Sequence, residues 1–110
     1  MPISVVVKDE QGRTLARLED VYASLPVQPA VITADVLPLG RRETYPLLSY
    51  IDPYGDTCFN VAQARAAVTE LRDWDQEVQS EASRALLAGL AVLCAAHMSR
   101  PHRYLWFVGD

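Results

Sequence analysis

The chain opens on an alternation. Ile3, Val5 and Val7 form one phase and Ser4, Val6 and Lys8 the other, a period of two that puts successive side chains on opposite faces of a strand. Asp9-Glu10-Gln11-Gly12 supplies turn chemistry, after which Leu15, Ala16 and Leu18 resume the apolar pattern. The pattern predicts a hairpin with strands at 3–8 and 13–18. From Glu19 to Pro46 periodicity is lost and Pro26, Pro29, Pro38 and Pro46 remove backbone donors. Within this stretch, Ala30 to Leu37 alternate well enough to predict a short edge strand. A structureless loop of this length is uncommon in a compact domain, so part of it is expected to be ordered or to serve a partner.

A short apolar run, Leu47 to Ile51, ends at Asp52-Pro53-Tyr54-Gly55, with Pro and Gly at the positions a type I turn favours. The chain is then expected to turn directly into a helix. Asn60 is a good N-cap, and Val61, Ala64, Val68, Leu71, Trp74 and Val78 follow as one helical stripe. Asp73 and Gln76 have capping-box spacing, which predicts a break near 73–76 and a second helix to about Ser99, stopped by Arg100-Pro101. Glu77, Glu81 and Arg84 decorate the start of that helix. Ala85 to Met98 is apolar all round, which predicts burial on every face, by its own domain or by another chain. Tyr104-Leu105-Trp106-Phe107-Val108 closes the chain as a strand with large side chains on both faces.

These elements predict an α+β fold: an antiparallel sheet made of the N-terminal hairpin and the C-terminal strand, with a two-helix pair packed on one face. Residues 1–110 form a single domain. Composition agrees, since 110 residues with 50% apolar and 22% charged side chains can bury a core without disulfide or metal staples. The Ala- and Leu-rich composition, with 9 Arg to the single Lys8, fits a GC-rich bacterial source. No positively charged run opens the chain, Ile3 to Val7 is too short for a signal-peptide core, and Ala85 to Met98 falls short of the ~20 residues a bilayer needs. Cys58 and Cys94 sit in different elements without metal-type spacing, as expected of free thiols in a reducing cytoplasm.

Candidate chemistry concentrates between Asp52 and Asn60. In one reading Asp52 and Asp56 converge as an acid/base pair, or join His97 or His102 in a metal-dependent hydrolase. In the other, which the residue types favour, Asp52 starts the turn, Tyr54 and Gly55 complete it, and Thr57 or Asn60 caps a helix. Cys94, His97 and His102 are the one combination resembling a metal cluster, but zinc requires four ligands, or three and a water, and a core cysteine beside a helix-terminal histidine explains the same residues. No metal site is therefore expected. The serines lack a nucleophile-elbow context and no Gly-rich phosphate loop exists, so neither a catalytic residue nor a cofactor is assigned. Arg100, His102 and Arg103 beside Tyr104 and Trp106, with Arg41 and Arg42, form a basic-aromatic combination suited to stacking a base. The net charge of −4 weighs against nucleic acid.

Tyr45-Pro46-Leu47-Leu48, Ile51-Asp52-Pro53-Tyr54-Gly55-Asp56-Thr57, Phe59-Asn60, Gln63 and the closing Tyr104-Leu105-x-Phe107-Val108-Gly109-Asp110 resemble a group of small uncharacterised bacterial proteins of about this length. The resemblance runs from Tyr45 onward and brings no established activity. It implies that the Asp52–Asn60 turn and the Phe107–Asp110 terminus belong together in one small domain. The group has an aliphatic residue where this chain has Cys58, which counts against Cys58 as a nucleophile or metal ligand.

The functional expectation is a non-catalytic, cytoplasmic protein–protein interaction module, of the kind that inhibits a toxin as an immunity protein does. Its partner is another protein, or a second copy of the chain in a homodimer. The Pro-rich 20–46 segment, the carboxylates Glu19, Asp20, Asp35 and Glu43, and the aromatics Tyr104 and Trp106 are expected to form or flank the contact. The alternative is the small hydrolase using Asp52 and Asp56 with His97 or His102.

Overall fold

The computed structural model describes residues 3–23, 36–78 and 81–109. Strand β1 (Ser4–Asp9) and strand β2 (Thr14–Arg17) form the expected hairpin. Asp9 builds the turn. Its Oδ1 accepts the amides of Gln11 (3.0 Å) and Arg13 (2.9 Å), its Oδ2 accepts Arg13 Nε at 2.8 Å, and Gly12 takes the left-handed φ of 82° that the reversal requires. The Arg13 amide foremost, with the smaller help of its guanidinium and of the Gln11 amide, holds the Asp9 carboxyl below the usual range.

β2 stops at Arg17, one residue short of the predicted end, because Leu18 opens a short helix, α1 (Leu18–Tyr22), inside the stretch expected to lack periodicity. Leu18 and Tyr22 are both buried. The predicted edge strand at 30–37 lies mostly outside the described residues, and Val36 and Leu37 are not in a strand. Leu48–Tyr50 forms a single 3₁₀ turn, then come strand β3 (Asp56–Phe59), helix α2 (Val61–Val78), helix α3 (Glu81–His97) and strand β4 (Arg103–Val108). The four strands are all antiparallel, in the order β2-β1-β4-β3, and α1, α2 and α3 pack on one face.

Two boundaries differ from expectation. The Asp52–Gly55 turn leads into β3 rather than a helix, since Asp56 to Phe59 pair with Val108 to Leu105 of β4. Nor does the helix break at 73–76. Asn60 and Gln63 form the capping box, the Gln63 amide donating to Asn60 Oδ1 (2.9 Å) and the Asn60 amide to Gln63 Oε1 (3.0 Å), and α2 runs unbroken to Val78. Tertiary contacts hold its last turns. Trp74 Nε1 donates to the Val36 carbonyl at 2.9 Å, the Tyr45 ring meets the Trp74 ring edge-on at 5.5 Å, and Tyr45 Oη and Arg41 both donate to Glu77, each at 2.6 Å.

The core lies between sheet and helices: Val5, Val7, Leu105, Phe107 and Phe59 meet Ala64, Leu71, Leu86, Leu90 and Leu93. Leu37 and Tyr45, from the segment expected to serve a partner, are part of this core. α3 is not buried all round. Leu86, Leu90 and Leu93 point inward, whereas Val92, Ala95 and Ala96 face outward.

Candidate functional site

Because the strands alternate and the helices cover one face only, every second side chain of the sheet points to a face that no described helix covers. The register fixes which ones. One rung runs Arg17, Val6, Trp106, Cys58 across all four strands; the neighbouring rungs place Lys8 beside Tyr104, and Val108 between Ser4 and Asp56. Val6 is 6% exposed yet lies outside the cluster packed on the helices, so its cover comes from this second face. Tyr104 and Trp106 are half-buried, and Lys8 Nζ sits 5.1 Å from the centre of the Trp106 ring, a cation–π distance. Asp9, Glu10, Gly12, Cys58, Tyr104 and Trp106 border a shallow hollow of about 250 Å³ on this side. Tyr104 and Trp106 were legible in the sequence as a strand with large residues on both faces. Val6, Lys8, Arg17 and Cys58 join them only through the pairing, although the Ser4/Val6/Lys8 phase of β1 carried the signal.

The other expected contact residues lie elsewhere. Glu19 and Asp20 occupy the first turn of α1, in the helical layer, where negative charge suits a helix N-terminus. Glu43 is exposed in the loop before Tyr45, and Asp35 falls outside the described residues. Arg41 is bound to Glu77 on α2, so it does not extend a basic patch around Tyr104 and Trp106.

The Asp52–Asn60 segment is built as a turn and a cap. Asp52 Oδ1 accepts the Tyr54 amide (2.9 Å), the Asp52 amide donates to Thr57 Oγ1 (2.9 Å), and Gly55 fits where a Cβ would stand 2.8 Å from Asp52 Oδ2. Asp56 is exposed on β3, and Tyr54 projects 71% exposed from the turn. The Gly109 amide donates to the Gly55 carbonyl at 2.8 Å, which joins the turn to the C-terminal residues.

No three His, Cys, Asp or Glu side chains among the described residues are grouped to hold a metal ion, so neither the Cys94/His97/His102 combination nor Asp52 and Asp56 with a histidine forms such a group. His102 instead pairs with Glu10, Nδ1 to Oε2 at 3.3 Å. Burial pushes the Cys94 thiol up to about 11 and raises that of Cys58 despite Lys8 nearby, so neither is poised as a thiolate. No helix among the described residues is long and apolar enough to cross a membrane.

Comparison with protein-family models, curated proteins and solved structures finds no match to this chain.

Proposed function

We propose that the chain is a non-catalytic protein–protein interaction module that docks a partner protein on the sheet face that no described helix covers, acting in the cytoplasm as an immunity-type inhibitor does. The observation that carries this reading is the arrangement of Tyr104 and Trp106 around the buried Val6 on that face. Paired aromatics on a rigid strand offer a large contact area at little conformational cost, and Tyr, Trp and Arg are the residues on which binding energy concentrates. The charges around them favour a protein over a nucleic acid: Lys8 and Arg17 are interspersed with Asp9, Glu10 and Asp56, which would repel a phosphate backbone. Mixed charge of this kind suits the polar rim of a protein interface.

The test compares capture from the native host by the full-length wild type with capture by Trp106→Glu and Tyr104→Glu, using Glu19→Ala as a control in the helical layer. A specific host protein retained by wild type and Glu19→Ala but lost by both aromatic variants, with their circular dichroism unchanged, supports the reading. Undiminished retention of that protein by the aromatic variants removes it.

A further inference from the structure

A second surface lies in the helical layer and is independent of the sheet face. Between α2 and α3 runs an open groove of about 300 Å³, lined by Arg65, Val68, Thr69 and Arg72 of α2 and by Cys94, Ala95, Met98 and Ser99 at the end of α3. Its floor is apolar: Met98 is buried, and Val68 and Cys94 are partly so. Arg65 and Arg72 stand seven residues apart on one side of α2, two helical turns or about 10.5 Å. Both are exposed, and neither guanidinium has a hydrogen bond or ion pair among the described residues. The positions three and four residues from Arg65 hold Val61, Ala62, Val68 and Thr69, none of them acidic. Asp75, the one acid at that spacing from Arg72, makes no ion pair with it. Across the groove, α3 offers no carboxylate from Ala82 to His97, and its outward side, Val92, Ala95 and Ala96, is small and apolar.

Two cations without an ion pair among the described residues thus flank an apolar trough. They define a complement. We propose that this groove receives an amphipathic helix of a partner protein, with two carboxylates seven residues apart that meet Arg65 and Arg72 and apolar residues between them that enter the trough. A helix has the required periodicity, since positions i and i+7 share a face with i+3 and i+4. The small side chains of α3 let the partner's helix approach the α2–α3 pair closely.

The probe is a fluorescein-labelled synthetic helix of about 18 residues, long enough to hold its shape. It carries Glu at two positions seven apart, Leu at the intervening third and fourth positions and Ala elsewhere, and its twin has Lys in place of Glu. Anisotropy titration against the full chain should show the Glu peptide binding, and binding about tenfold weaker to the Arg65→Glu/Arg72→Glu double variant at low salt. The Lys peptide should reverse that preference, which also shows that the variant is folded. Absence of Glu-peptide binding, or equal binding to wild type and double variant, would overturn the proposal. So would sedimentation as a dimer that Ala95→Glu converts to a monomer, since a second copy would then fill the groove.

Discussion

Gly109 lies directly against Pro53. A Cβ on Gly109 would stand 2.4 Å from the Pro53 carbonyl oxygen and 2.8 Å from that of Asp52, and both obstacles are backbone that cannot swing aside. The relation ties the end of β4 to the Asp52–Gly55 turn. Gly109→Ala is therefore expected to destabilise the fold by roughly 1–3 kcal/mol, as overpacking does elsewhere. Chemical denaturation checks this; a midpoint equal to wild type would mean that the terminus can lift away at no cost.

Gly89 plays a similar part inside α3. A Cβ there would come within 2.6 Å of the Tyr22 ring and 2.8 Å of Leu18 Cδ1, the two residues that seat α1. Helix propensity alone makes Gly→Ala favourable by up to about 1 kcal/mol. Here both neighbours are buried and would have to shift, so Gly89→Ala is expected to lower the melting temperature, and a rise would show that α1 shifts freely.

Glu70 caps the turn before Ile51, its carboxylate accepting the amides of Leu47 (3.0 and 3.1 Å) and Leu48 (3.0 Å) from part-buried positions. Glu70→Ala leaves both donors unpaired and should cost about 1.5–3 kcal/mol, the scale of hydrogen bonds to a charged group. Glu70→Gln, which keeps an acceptor, should recover part of the loss. Equal stability of the three proteins in urea would assign these bonds no weight.

The clasp of Arg41, Tyr45 and Glu77 predicts a pH dependence at both ends of the scale. Hydrogen bonds from Arg41 and then Tyr45 hold the Glu77 carboxyl below its usual range, so its contribution is present above about pH 4.3, the unfolded value, and fades as pH falls through the lowered folded one. The Tyr45 hydroxyl, bonded to Glu77, is pushed up to about 12, so its contribution is present below about pH 10 and fades as pH rises through about 12. Near-UV dichroism of the Tyr45–Trp74 pair should hold steady between roughly pH 5 and 10 and change outside that window. Asp9 also titrates in acid, so Glu77→Gln is the control: an acid transition unchanged in that variant would not belong to the clasp.

The hairpin and β4 were legible because a period of two survives in Ile3–Lys8 and Tyr104–Val108. β3 was hidden, since Asp56 to Phe59 follow strong turn residues and become a strand only through pairing with Leu105–Val108. α1 was hidden for a related reason: Leu18 continues the apolar phase of β2, and only burial with Tyr22 under α3 makes it helical. The false break at 73–76 arose because Asp73 and Gln76 carry a local capping signal. Contacts of Trp74 and Glu77 with Val36, Arg41 and Tyr45, more than thirty residues away in sequence, outweigh it. On the sheet face, Tyr104 and Trp106 were visible in advance, while the rung joining Arg17, Val6, Trp106 and Cys58 exists only in the register.

The most direct test of the docking face is calorimetric titration of the host protein captured by the wild type, once purified, against wild-type chain and Trp106→Ala. A central aromatic anchor predicts a loss of at least about 1.4 kcal/mol, a tenfold weaker Kd, with the thermal stability of the free chain little changed. An unchanged Kd would contradict the docking face.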